Sequence, residues 1–177
     1  MNKRVFFLNM FPDYEPPEAL KSALSQAAIA AADIDPERRA VEVALEMEHY
    51  VPRRLMQQAS KDICALYGLQ ILSLRPVYPG TELHNIESEE LMALFVEHNS
   101  MNRGALAGAS WAWEDNILTV QLRGNGKKLL EEAVPSIQRD LLERFGVRVD
   151  IVIQSGQSLS GEELFQAMEK LRSEVMA

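Results

Sequence analysis

His49, His84 and His98 are the histidines of this chain, and none of them stands at a His-x-x-x-His or His-x-Glu spacing that would hold a metal ion. Cys64 is the single cysteine; it permits no internal disulfide, and it falls beside an apolar helical stripe where a small buried hydrophobe is expected. Glu46 and Glu48 share one strand face, as paired catalytic carboxylates do, but an alternating strand needs a polar face in any case. Gly124-Asn125-Gly126-Lys127-Lys128 is a Gly-x-Gly turn leading into a helix. Backbone N–H groups there could hold a phosphate. The second half of a Walker loop is missing, however, and a strand-to-helix turn needs no ligand. Arg123, Lys127 and Lys128 together could contact a nucleic-acid backbone, and Trp111, on one face with Trp113, could stack on bases or fill a core. Val5, Phe6, Phe7, Met10 and Phe11 carry too much apolar surface for a free terminus, so they either dock on the chain itself or await a partner. No catalytic constellation emerges, and no metal or cofactor is expected. The residues read as a binding or scaffold module.

Composition sets the frame for these residues. The chain has 177 residues, 47% apolar and 25% charged, with a net charge of −8. At about 100–200 residues per domain this means one domain or two small ones. No apolar run approaches the ~18 residues of a membrane helix, so no membrane partner is expected. The apolar start imitates a secretory signal, but Asn9 interrupts it and Pro12-Asp13 ends it, which points to the cytoplasm. The acidic balance disfavours non-specific duplex binding while leaving room for a local basic groove.

The elements that must position these residues repeat. A short helix follows Pro16-Pro17, and extended runs near 26–33 and 39–47 meet at Asp35-Pro36-Glu37, with Val41, Val43, Leu45 and Met47 alternating with polar or small residues. Pro52 opens a helix whose stripe is Met56, Ala59, Ile63 and Leu66; Gly68 ends it, and 69–74 reads as a strand closed by Pro76, Pro79 and Gly80. The order then recurs. Residues 89–98 form an amphipathic helix, and 105–113 with 117–123 a hairpin around Glu114-Asp115-Asn116. A helix over 127–145 aligns Leu130, Val134, Ile137, Leu141 and Phe145, Gly146 ends it, and Val147, Val149, Ile151 and Ile153 alternate in a last strand. Tyr67-Gly68-Leu69 and Phe145-Gly146-Val147 lie 78 residues apart in equivalent places. The fold class is therefore α+β: two tandem helix–strand–strand–helix–strand units and a C-terminal helix. That helix opens on a capping box, Ser160 with Glu163, shows Leu164, Met168, Leu171 and Val175 on one face, and is still periodic at Ala177, as the front of a longer protein would be.

With Pro135 dividing 127–145 into two helices, the second unit resembles a degenerate type II KH fold. Further cues are Phe6-Phe7-Leu8-Asn9-Met10-Phe11, Asp35-Pro36-Glu37-Arg38-Arg39, Arg75-Pro76-Val77-Tyr78-Pro79, Asn116-Ile117-Leu118-Thr119-Val120 and Arg144-Phe145-Gly146-Val147. On these the whole chain resembles the N-terminal region of the PolC-type DNA polymerase III alpha subunits of low-GC Gram-positive bacteria. The resemblance implies a first domain over 1–84 that docks on the clamp-loader tau subunit, a KH-like second over 85–158, and a helix over 159–177 leading to downstream domains. The parent would be a DNA-directed DNA polymerase with an exonuclease, and this region would be its non-catalytic recruitment part, with Phe6, Phe7, Met10 and Phe11 as partner-binding residues. The alternative is a single-stranded nucleic-acid-binding module using Arg123, Lys127, Lys128 and Trp111, with weak single-stranded DNA binding. Against KH-style recognition, Ala133-Val134-Pro135-Ser136 and Gln58-Ala59-Ser60-Lys61 stand where a Gly-x-x-Gly loop would meet the nucleic-acid backbone. Residues 87–177 also carry a net charge of −6.

Overall fold

The structure, a computed structural model, describes residues 4–156 and 161–175. A one-turn helix α1 (Phe7–Met10) and α2 (Glu18–Ser25) lead into β1 (Ala28–Asp35) and β2 (Ala40–Glu46), which pair antiparallel. The turn between them is closed by Asp35, whose carboxylate accepts the N–H of Arg38 at 3.2 Å. Helix α3 (Arg53–Tyr67) then crosses over so that β3 (Ile71–Val77) runs parallel to β2. Met56, Ala59 and Ile63 bury one stripe of α3, as their spacing predicts, and Gly68 ends the helix at φ 68°, a left-handed position that favours glycine. Leu66 departs from expectation and is exposed. Its place is taken one residue later by Tyr67, whose ring meets Phe11 edge-on at 5.3 Å. Strand β3 continues through Pro76, because at an edge strand an outward-facing proline forfeits no ladder bond.

A 3-10 helix (Gly80–Asn85) connects to the second unit: α4 (Ser88–His98), a short α5 (Asn102–Ala105), the hairpin β4 (Ser110–Glu114) and β5 (Ile117–Gln121), α6 (Lys127–Phe145) and β6 (Asp150–Gln154). The hairpin strand begins at Ser110, not at residue 105. Asn102, fully buried, donates its side-chain amide to the Phe95 carbonyl at 2.8 Å and holds 102–105 helical against the end of α4. Asp115 takes the positive φ of the two-residue turn. Helix α6 is unbroken, so Pro135 does not divide it in two. The carbonyl that loses its donor belongs to Glu131, one turn back on an exposed stretch where water can satisfy it. The last strand repeats the parallel pairing, β5 with β6, giving two three-stranded sheets of order β1-β2-β3 and β4-β5-β6. Helix α7 (Gly161–Val175) follows; the capping box at Ser160 and Glu163 and the side chain of Leu164 lie outside the described residues.

A single apolar cluster runs through both units, from Phe7 and Leu45 to Leu118 and Ile153. The N-terminal segment belongs to it. The Ile29 N–H donates to the Val5 carbonyl at 2.7 Å and the Phe7 N–H to the Ala27 carbonyl at 2.9 Å, so the terminus adds a short rung to the edge of β1. That rung aims Phe7 and Phe11 inward, 0% and 5% exposed, and leaves Val5 and Phe6 in solvent. Phe7→Ala is therefore expected to cost about 3–5 kcal/mol in urea denaturation. Phe6→Ala should cost no more than about 0.5 kcal/mol. The reverse order would mean that the terminus is not docked as described.

Candidate functional site

The two units meet where β3 leaves its sheet. The Tyr78 N–H donates to the Arg144 carbonyl at 2.6 Å, and its hydroxyl donates to the Val51 carbonyl at 3.1 Å. Its ring packs between Tyr50 and Phe145, with centroids 5.5 and 5.2 Å away. Beside this cluster Glu90, in the first turn of α4, reaches across to α3. One carboxylate oxygen accepts the Arg53 N–H at 2.6 Å, satisfying the first turn of a helix whose N-cap is Pro52 and offers no side-chain acceptor. The other oxygen meets Arg144 at 3.1 Å, and Asp140 accepts the Arg144 Nε–H at 2.9 Å. Side-chain exposure is only 5% for Glu90 and 13% for Arg144. Burial works against the guanidinium charge, but Asp140 and Glu90 outweigh it and hold the Arg144 pKa above its ordinary value. Burial, reinforced by Glu90, pushes the hydroxyls of both Tyr50 and Tyr78 well up. Neither phenol is primed as an acid or base.

Around this junction opens a cleft of about 720 Å³. Its sides are the run Leu72–Tyr78 of the β3 edge, one face of α3 through Met56, Gln57 and Ser60, and the end of α6 through Asp140, Glu143 and Arg144.

The residues expected to bind are scattered. Phe7 and Phe11 lie in the core, which corrects their assignment to a free docking terminus; the rung on β1 aims them inward, while Phe6 is exposed and Met10 half-buried. Trp111 packs on Phe95 at 6.0 Å and Trp113 stacks on His84 at 5.3 Å, so both rings are engaged by protein neighbours and not displayed as a platform. The His84 Nε2–H donates to the Asp115 carbonyl at 2.6 Å, a second tie between the units. Arg123 lies folded over Gly108 and Lys127 faces Glu131 at 3.8 Å, leaving Lys128 exposed at the start of α6. Gly126 is required there, at φ 118° and against the Ala105 side chain, so turn geometry accounts for that glycine without a phosphate. Cys64 is half-buried, and burial raises its thiol pKa. Among the described residues no group of three or more His, Cys, Asp or Glu could hold a metal ion, and no helix is long and apolar enough to cross a membrane. The Glu90–Arg144 pair was not anticipated, since a charged residue inside an apolar stripe carries no sequence mark of its partner. No protein-family model, curated protein or solved structure matches the chain.

Removing Glu90 leaves a buried guanidinium and an uncapped helix. Glu90→Ala should cost about 3–5 kcal/mol, whereas Glu90→Leu with Arg144→Met should recover most of it. Urea denaturation of the single and double variants measures both. A single variant within about 0.5 kcal/mol of the parent would remove the junction from any structural role.

Acid stability supplies a second test. Glu82 accepts from the Tyr50 N–H at 3.0 Å and the Asn85 amide at 2.8 Å, with His49 Nδ1 3.3 Å away. The Tyr50 N–H first, then Asn85 and His49, hold its carboxyl below the ordinary 4.5. The folded chain thus releases this proton at lower pH than the unfolded chain. The resulting stability is complete above the unfolded value and fades as pH falls through the folded one. Glu82→Gln should therefore show a shallower loss of stability on acidification, read from midpoints across the acid range; an unchanged acid limb would contradict this.

Proposed function

We propose that the chain is a non-catalytic docking region made of two KH-like units, the cytoplasmic N-terminal recruitment part of a replicative DNA polymerase, and that it contacts the clamp-loader tau subunit. The observation that carries the docking reading is apolar surface left open to solvent. On α7, Phe165, Met168 and Leu171 are 60–63% exposed and Val175 is 80% exposed, and Val5 and Phe6 stand exposed beside β1. Fully burying one such side chain contributes roughly 1.5–3 kcal/mol. A few together reach micromolar affinity after ordering costs. The polymerase assignment rests on the resemblance of the chain as a whole. The KH-like reading rests on the shared order of helix, two antiparallel strands, helix and parallel strand in both units. With Phe7 and Phe11 in the core, the partner contact falls to Phe6, Val5 and α7. Function is then tethering: the bound module raises the local concentration of whatever is joined to it.

The nucleic-acid alternative draws less support. The middle of α6 is continuous helix where a glycine loop would be needed, and Trp111 is engaged with Phe95. Calorimetry of the full chain with tau tests the proposal. Binding at about micromolar strength is expected, weakened by Phe165→Ser with Leu171→Ser or by Phe6→Ser at unchanged melting temperature. A labelled oligothymidylate should bind no tighter than about micromolar near physiological salt, with a steep salt dependence. Absence of tau binding, or nanomolar oligonucleotide binding lost in Lys127→Ala with Lys128→Ala, would overturn the reading.

A further inference from the structure

Strand β3 is an outer strand of its sheet, and its backbone alternates. The Ile71 N–H donates to the Arg39 carbonyl at 3.4 Å, and the Val77 carbonyl accepts the Met47 N–H at 2.9 Å, so the odd-numbered residues turn their backbone to β2. Leu72, Leu74 and Pro76 turn theirs outward. The Ser60 hydroxyl takes the Leu72 carbonyl, and Pro76 has no N–H to offer. The Leu72 N–H is directed at the Cys64 thiol of α3. What remains is both groups of Leu74 and the Pro76 carbonyl. One extended segment, exchanging two bonds with Leu74 and one with Pro76, would satisfy all three.

These groups line the cleft of about 720 Å³ between β3, α3 and α6, a size within the ordinary range of ligand sites. Its charges are nearly spent. Arg53 is paired with Glu97, Arg75 with Glu42, and Arg144 with Glu90. Asp140 shares Arg144 with Glu90, and Glu143 has no ion-pair partner among the described residues. The α6 wall is therefore negative where the occupant must pass. A phosphate backbone would be repelled there and a cationic side chain favoured.

We propose that this groove takes an extended peptide segment of a partner protein by strand addition to β3, with a lysine or arginine placed against Glu143 and Asp140. Main-chain bonds supply affinity in such sites and flanking pockets supply selectivity. The inference deepens the docking reading and rests on it for the class of partner.

The test uses the full chain and two pools of end-blocked eight-residue peptides, one with lysine fixed at a central position and one with glutamate. In amide-resolved NMR the lysine pool should shift Leu74 and slow its hydrogen exchange, while the glutamate pool does neither. Glu143→Lys should weaken the lysine pool about tenfold and favour the glutamate pool. Glu143 is exposed, so the melting temperature should stay unchanged. Equal binding of the two pools, silence at Leu74, no effect of Glu143→Lys, or displacement of the peptides by oligothymidylate would each overturn the groove. If tau binds the chain and the lysine pool leaves the Leu74 amide unmoved, the docking reading stands and the groove falls. If the lysine pool binds as described and tau does not, the groove stands and the polymerase reading falls.

Discussion

Glu90 takes a negative charge to a place where its side chain is 5% exposed, and the elements around it are arranged to accept that charge. It lies in the first turn of α4 and against the first turn of α3, so the positive ends of two helices face it. Arg144, its ion-pair partner, lies in the last turn of α6, where a cation is favoured. Three helix dipoles thus act in the same sense on one ion pair. Burying a charge pair is unfavourable unless its remaining hydrogen-bonding capacity is used. Here the Arg53 N–H and Asp140 use most of it, while Arg144 Nη2 lies beside Asp140 at 2.8 Å without a hydrogen bond of its own. The bond from the Tyr78 N–H to the Arg144 carbonyl ties the end of β3 to the same residue.

This constraint explains why two similar units behave as one body. Small units of this size bury little apolar surface on their own. The continuous cluster from Phe7 to Ile153 lets each borrow from the other, and the charged junction fixes the register at which they meet. A domain boundary drawn between residues 84 and 85 falls inside the 3-10 helix Gly80–Asn85, whose Glu82 reaches back to Tyr50. The linker is therefore itself packed structure.

Periodicity made most of the fold legible. The alternation at Val41, Val43 and Leu45, the stripe through Leu130, Ile137, Leu141 and Phe145, and the glycines ending α3 and α6 all lie where their patterns put them. Local rules failed where a distant neighbour decided. Phe11 selects Tyr67 over Leu66, and Asn102 holds the stretch before β4 in a helix. Pro135 reads as a break, yet only one exposed carbonyl is freed and the buried stripe on either side holds the helix together. The site was less legible. Aromatic count signalled apolar surface at the terminus, but which ring turns inward depends on the rung with Ala28, a contact far along the chain. Glu90 and Arg144 are 54 residues apart and each looks like an ordinary surface charge.

The same dependence on distant contacts governs the sheet edges. A sheet of three strands exposes two rows of backbone groups, and natural proteins blunt them to avoid indiscriminate pairing. On β1 the terminus covers the stretch next to Ala28 and Ile29, and Asp33 and Asp35 place charge on the remainder. On β3 the protection is chemical: Pro76 lacks a donor and Ser60 occupies a carbonyl. Protection of β3 is nevertheless incomplete, and the gap at Leu74 coincides with the cleft that the junction creates by holding α6 beside the strand. A lone unit would offer Leu74 to bulk water and to any passing strand. With α6 in place, a segment must fit between strand and helix and meet Asp140 and Glu143 on the way. The buried ion pair that joins the units therefore also shapes what the open edge can accept, and stability and selectivity at this place have a common physical origin.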